Sequence, residues 1–154
     1  MYLIGGSTNK DIGAAGARKL ARLCYSCGIC VGDCPAARFS EDFNPREIFL
    51  KVCLGIGEEL VGVNSPVWKC TTCYTCYERC PAGVKLLDII IALRNLSFRE
   101  GTSPAVVSSV RENVVKKGIE GSLTKRVVGL RQKMGLPGTE PCGERELELL
   151  TYHE

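Results

Sequence analysis

The chain has 154 residues, 45% hydrophobic, 24% charged and 6% aromatic, with a formal charge of +3 and ten cysteines. That is the size of one domain, able to bury roughly two-thirds of its unfolded surface, so the cysteines are not needed as disulfide staples. The small basic excess gives no ground for nucleic-acid binding, and Met1 to Gly6 lacks the regions of a signal peptide; the chain reads as soluble and cytoplasmic, where regularly spaced cysteines point to metal or redox chemistry.

In chain order, Thr8-Asn9-Lys10-Asp11 has the capping-box form, and Ala14, Ala15, Ala17, Leu20 and Ala21 predict a small-residue helix leading into the first cysteine. Gly13-Ala14-Ala15-Gly16 is no dinucleotide fingerprint, because no strand precedes it and a glycine is missing. Cys24, Cys27, Cys30 and Cys34-Pro35 then form a C-x2-C-x2-C-x3-C-P run. Asn44-Pro45-Arg46-Glu47 supplies a cap, a proline at the first helical position and an acid, predicting a helix to about Leu54 before Gly55 and Gly57. Ile48, Phe49, Val52, Cys53, Ile56 and Leu60 share one face of that pattern, which makes Cys53 a small buried apolar residue. Ser65-Pro66 opens a short segment bearing Trp68, and the cysteine run recurs whole at Cys70, Cys73, Cys76 and Cys80-Pro81.

Lys85 to Arg99 reads as a helix with Leu86, Ile89, Ile90, Leu93 and Leu96 inward, ended by Gly101. The longest apolar stretch, Val84 to Leu96, is interrupted by Lys85, Asp88 and Arg94 and is too short to span a bilayer. Ser103-Pro104 begins a helix ending near Gly118, Ser122 one ending near Gly135, and Glu144 to Leu150 forms a last short one. Cys142 sits in a turn-like tail, and the single histidine, His153, is a solvated tail residue that leaves no imidazole for haem, a Rieske centre or a triad. Strand patterns are scarce. The expected fold is therefore all-α: a two-cluster domain over residues 1–100 and a helical C-terminal extension over 101–154 that packs on it or on another chain.

The repeated run is the two-cluster ferredoxin pattern, in which three cysteines of one motif bind one [4Fe–4S] cube and the fourth binds the other. Three thiolates spaced three residues apart on a tightly wound loop converge on one cube, and the fourth, followed by proline, has left that loop. The expected ligands are Cys24, Cys27, Cys30 and Cys80 for the first cluster, and Cys70, Cys73, Cys76 and Cys34 for the second. Zinc would leave ligands unused in so dense a run, and a disulfide framework suits neither compartment nor length. Two other roles stay open beside electron transfer: a metal-dependent interaction module, and a wire serving a different dehydrogenase. Tyr25, Ile29, Val31, Tyr74 and Tyr77 are expected to restrict water at the clusters, and Arg22, Arg38, Lys69, Arg79 and Lys85 to offset their negative charge.

Trp68-Lys69-Cys70-Thr71-Thr72-Cys73-Tyr74-Thr75-Cys76-Tyr77-Glu78-Arg79-Cys80-Pro81, with Asn44-Pro45-Arg46-Glu47-Ile48 upstream, resembles the C-type subunit of heterodisulfide reductase, over about Ala14 to Glu100. The resemblance implies an α-helical ferredoxin fold, two [4Fe–4S] clusters on the eight motif cysteines, and a cytoplasmic complex of methanogenic archaea. There the C-type subunit passes electrons from a flavin-bearing, iron–sulfur A-type subunit to the B-type subunit, which reduces the mixed disulfide of coenzyme M and coenzyme B; a hydrogenase or formate dehydrogenase belongs to the larger complex. Similar modules serve dehydrogenases of glycerol 3-phosphate, lactate and dicarboxylates, and sulfur-oxidising relatives of heterodisulfide reductase. The chain lacks the Cys-Cys-Gly motifs of the B-type subunit and a plant-type [2Fe–2S] domain.

Overall fold

The structure, a computed structural model, describes residues 22–117, 120 and 123–137, which are helical and turn segments without a strand. The helices expected over Ala14 to Ala21 and Glu144 to Leu150, with Cys142 and His153, lie outside the described residues. The chain divides into two compact units, Met1–Ser103 and Pro104–Glu154. No helix of the described residues is long and apolar enough to cross a membrane.

In the first unit, two short helices, α1 (Ile29–Gly32), which carries Cys30, and α2 (Pro35–Phe39), flank Cys34. α3 (Pro45–Leu54) starts where expected: the Asn44 side chain accepts from the N–H groups of Arg46 at 3.0 Å and Glu47 at 3.2 Å, filling two of the donors a helix start leaves open. It stops at Gly55, whose φ of 81° lets its N–H reach Val52 O and that of Ile56 reach Lys51 O, a Schellman ending. Two 3₁₀ turns, Gly57–Leu60 and Pro66–Lys69, lead to the second cysteine loop, which contains α4 (Thr75–Glu78). α5 (Leu86–Arg99) follows and ends at Gly101 with the same Schellman pair, Gly101 N to Phe98 O and Thr102 N to Ser97 O.

The core lies between α3 and α5. Ile48, Phe49 and Val52 meet Leu86, Ile89, Ile90 and Leu93, and Phe43, Leu60, Val67 and Val84 close its edges. Leu96 is only half-buried and Ser97 takes the buried place instead, its hydroxyl donating to Leu93 O at 3.0 Å and accepting from Gly62 N at 3.2 Å. Six of the motif cysteines, Cys24, Cys30, Cys34, Cys70, Cys76 and Cys80, rest on this core. Cys53 is half-buried beside it and not part of its interior; Ile56, past the glycine stop, is exposed. The helical period assigned Ile56 to the core because it took no account of the turn reversing at Gly55.

One side chain of α5 fastens the approach to the second loop. Arg94 donates through Nε and Nη2 to Val67 O at 3.0 and 2.8 Å and through Nη2 to Cys70 O at 2.5 Å. Its guanidinium lies 5.6 Å from the centre of the Trp68 ring, whose Nε1 donates to Gly62 O at 2.8 Å. A single 3₁₀ turn, with few hydrogen bonds of its own, is thus tied to a helix by charge-assisted bonds.

The second unit comprises α6 (Ala105–Lys117) and α7 (Lys125–Lys133). α7 is capped by Thr124, which accepts from Val127 N at 3.4 Å, while Ser122, the expected start, lies outside the described residues; the helix too closes on a glycine, Gly135. It carries Lys125, Arg126, Arg131 and Lys133, and exposes Leu130 and Met134.

Replacing Arg94 by methionine keeps an apolar stem but strands the Val67 and Cys70 carbonyls. It should destabilise the loaded protein by about 1–3 kcal/mol, seen as a lower thermal midpoint. Ile90→Ala, at a site with no exposed surface, should cost about 2–5 kcal/mol.

Candidate metal centre

The two cysteine loops share little sequence beyond their cysteines, yet their backbones repeat. Ser26 and Thr72, each two residues after the loop's first cysteine, adopt left-handed φ values of 55° and 51°. Gly28 and Tyr74, each after the second cysteine, do the same at 78° and 62°. In each loop a main-chain N–H turns back onto the first sulfur: Ser26 N lies 3.4 Å from Cys24 Sγ and Thr72 N lies 3.4 Å from Cys70 Sγ. Left-handed residues are costly unless glycine. Three of them in equivalent places mark a loop wound to aim its thiols inward.

The thiols gather into two cavities. Cys24, Cys27, Cys30 and Cys80 line the first, of about 470 Å³ with its part open to solvent, together with Cys76. Cys34, Cys70, Cys73 and Cys76 line the second, of about 320 Å³ counted the same way. Each cavity thus receives three cysteines of one motif and the last of the other, and Cys76 borders both. The residues preceding the two exchanged cysteines also meet, Arg79 pairing with Asp33 at 2.7 Å.

The described cysteines are free thiols. A zinc ion would draw four sulfurs to roughly 3.8 Å from one another. Among the described residues no three such donors gather about a single point, and the thiols line the walls of the two cavities; four thiolates around a cavity are the donor set that a [4Fe–4S] cube takes.

Electrostatics favour such a group. Burial, and then the neighbouring thiolates, raise the thiol of Cys30 and push Cys76 up to about 11; burial also raises Cys70, against the opposing pull of the Thr72 N–H and the Arg94 charge. The neighbours act across the motifs, Cys80 on Cys30 and Cys34 on Cys70 and Cys76. Several thiolates crowded in low dielectric repel one another, and bound metal cations reverse that penalty. Cys73 shifts downward, because Thr75 lies within hydrogen-bonding reach: the Cys73 thiol donates to Thr75 Oγ1 at 3.4 Å, and the hydroxyl can donate in return to a thiolate. Val84 N donates to Cys80 Sγ at 3.3 Å. Burial and the neighbouring Cys24 raise Cys53.

The surroundings differ from expectation in three respects. Tyr25 is 71% and Tyr74 52% exposed, so neither seals its cluster; with Cys27 and Cys73 they form an open edge, while Ile29, Val31 and Tyr77 are half-buried. Of the cations expected to balance the clusters, Lys69 pairs with Asp42, whose carboxyl it holds down at about 2 with help from Ser40, and Arg79 pairs with Asp33. Lys85 lies over the Tyr77 ring, 5.1 Å from its centre, and Arg22 and Arg38 are exposed. The charged side chain that does line the first cavity is Arg46, which the sequence pattern marked only as part of a helix start.

Gly28→Ala meets open space but holds a left-handed φ, so it should cost about 1–2 kcal/mol of stability. Gly32→Ala, in equally open space on α1 with no positive φ, should be neutral or stabilising in the same denaturation assay. Since a thiol must lose its proton to bind metal, and burial raises the pKa of several here, iron uptake by the metal-free chain should release protons and grow as pH rises toward the thiol range. Iron bound against pH, with proton release by calorimetry, checks the sign.

A family model described as a 4Fe-4S dicluster domain matches residues 20–84. The chain is 38% identical over 133 residues to the second C-type iron-sulfur subunit of CoB–CoM heterodisulfide reductase from Methanocaldococcus jannaschii, covering 84% of this chain and 70% of that one. It is 38% identical over 127 residues to the C-type iron-sulfur subunit of the same enzyme in Methanopyrus kandleri, covering 82% and 65%. To the C-type subunit of H2:CoB-CoM heterodisulfide,ferredoxin reductase from Methanothermobacter thermautotrophicus it is 33% identical over 142 residues, covering 92% and 75%. With identity at this level across most of its length, the chain belongs to the family of C-type iron–sulfur subunits of heterodisulfide reductase.

Proposed function

We propose that this chain relays electrons within a cytoplasmic heterodisulfide reductase complex, from a flavin-bearing A-type subunit to a B-type subunit that reduces the mixed disulfide of coenzyme M and coenzyme B. Cys24, Cys27, Cys30 and Cys80 hold one [4Fe–4S] cluster; Cys70, Cys73, Cys76 and Cys34 hold the other. The observation that carries this reading is the exchange of the last cysteines between two cysteine-lined cavities that share a wall at Cys76. The names of the relatives supply the complex: each is a C-type subunit of a CoB–CoM heterodisulfide reductase.

Each cluster supplies, when bound, a site that accepts and releases one electron. The protein's own part is to hold, bury and expose. Phe49, Val84 and Leu86 wall the first cavity and Phe43, Leu87 and Ile90 the second, keeping core side chains against the inner faces of both. The open edges at Cys27 with Tyr25 and at Cys73 with Tyr74 give donor and acceptor one approach each, and residues 101–154 serve docking in the complex.

The loaded chain alone should hold about eight irons, accept electrons, and leave the heterodisulfide untouched until A- and B-type subunits are added. Turnover by the single chain, or zinc in place of iron, overturns the reading. The ligand exchange has its own test. In a Cys24→Ser, Cys27→Ser background that keeps about four irons, adding Cys34→Ser should remove the remaining cluster and adding Cys80→Ser should leave it, by iron count and visible absorbance. The opposite result means that each motif binds its own cube.

A further inference from the structure

Arg46 is the second residue of α3, where its main-chain N–H bonds the Asn44 cap. A cation is unfavourable there, because the open N–H groups of a helix start already amount to roughly half a positive charge. The adjoining carboxylate does not relieve it: Glu47 pairs with Lys51 at 3.4 Å, and among the described residues no carboxylate forms an ion pair with Arg46. Its Nε–H is buried and has no hydrogen-bond partner. A buried donor on a charged group is expensive to leave unmet; Arg131 Nε is in the same state, but of the two only Arg46 lines a cysteine cavity, where an acceptor can enter. Among the described residues Arg46 is also the one charged side chain lining the first cavity, and none lines the second.

We infer that Arg46 is the guanidinium partner of the cluster held by Cys24, Cys27, Cys30 and Cys80, its Nε–H kept for a cluster sulfur and its charge raising the electron affinity of that cluster alone. The inference rests on the ligand assignment proposed above. An oxidised cube with four thiolates carries about −2, and one electron from a reduced flavin or iron–sulfur group of a partner takes it to about −3. No bond forms or breaks and no proton is taken up. A fixed positive charge stabilises the more negative state more strongly, and the apolar walls beside it, Phe49, Val84 and Leu86, weaken the screening that water would provide. Arg94 spends Nε and Nη2 on the main-chain carbonyls of Val67 and Cys70 and does not line the second cavity; its charge does reach the Cys70 thiol, which it lowers, and that influence is left in place when Arg46 is replaced.

The test is a potentiometric titration followed by electron paramagnetic resonance on the full chain carrying both clusters. Wild type is first shown to hold about eight irons; if it does not, the cluster reading itself fails before Arg46 is examined. Cys27→Ser identifies the signal of the first cluster, because it perturbs that one. Arg46→Met keeps the stem and removes charge and donors. It should weaken the electron affinity of the first cluster by about tenfold or more, about 59 mV for a one-electron couple, with the second cluster unmoved. Arg46→Lys, which restores charge without Nε, should recover most of the loss, a rescue that a merely packing role would not give. If the methionine variant loads only the second cluster, Arg46→Gln carries the same measurement with the same expected fall. An unchanged potential of the first cluster, or an equal shift of both, overturns the inference.

Discussion

Cys34 and Cys80 each stand in the cavity built by the other's motif, and the rest of the first unit can be derived from that exchange. For the two loops to trade their last thiols, the chain between them must return to its starting point. α3, the two 3₁₀ turns and the Arg94 clamp accomplish this, and the Asp33 and Arg79 pair draws together the residues on either side of the crossing. The core between α3 and α5 is then a floor beneath the cysteines, with Phe49 and Ile90 reaching opposite cavities from opposite helices. Neither loop can be placed without the other, which makes folding and metal loading one problem.

The thiols explain why such a floor is needed and what it costs. Burying Cys30, Cys70 and Cys76 makes each harder to ionise, and their crowding adds repulsion when they do. Without metal these thiols escape the penalty by keeping their protons; with metal, the same burial concentrates the attraction between thiolate and cation. Hydrophobic packing and cofactor binding are coupled here, because the side chains that exclude water from the core also exclude it from the inner sulfurs.

Much of this was legible in the residues. The cysteine spacing identified the thiols that gather, since three-residue steps on a wound loop are a local property. Asn44-Pro45 and the glycines at 55, 101 and 135 marked helix ends for the same reason: capping and left-handed φ are decided within a few residues. What the sequence concealed was decided at long range. Nothing near Arg94 signals that it will bind carbonyls of Val67 and Cys70, and nothing in Arg46 distinguishes it from any arginine in a first helical turn. Tyr25 and Tyr74 seal less than expected because adjacency to a ligand says nothing about which way a side chain leaves a wound loop; both border their cavities yet leave more than half of their surface to solvent.

The repeat also explains how one backbone can make two unlike sites. Main-chain geometry is shared, down to the left-handed residues and the N–H that returns to the first sulfur. Side chains at equivalent places are not: glycine at 28 stands against tyrosine at 74, isoleucine at 29 against a threonine at 75 that reaches Cys73, aspartate at 33 against arginine at 79. Tyr74 carries the strain that Gly28 avoids, and keeps it beside the half-buried Tyr77 ring, 5.8 Å away and edge to face. Symmetry suits the building of two cubes by one stretch of chain, but identical cubes give an electron no reason to prefer one over the other. Hydrogen bonds to sulfur, nearby charge and solvent exposure are the terms that separate cluster potentials, and they vary here over a constant frame. A duplicated loop needs only side-chain substitutions, with no change of fold, to become a directed relay.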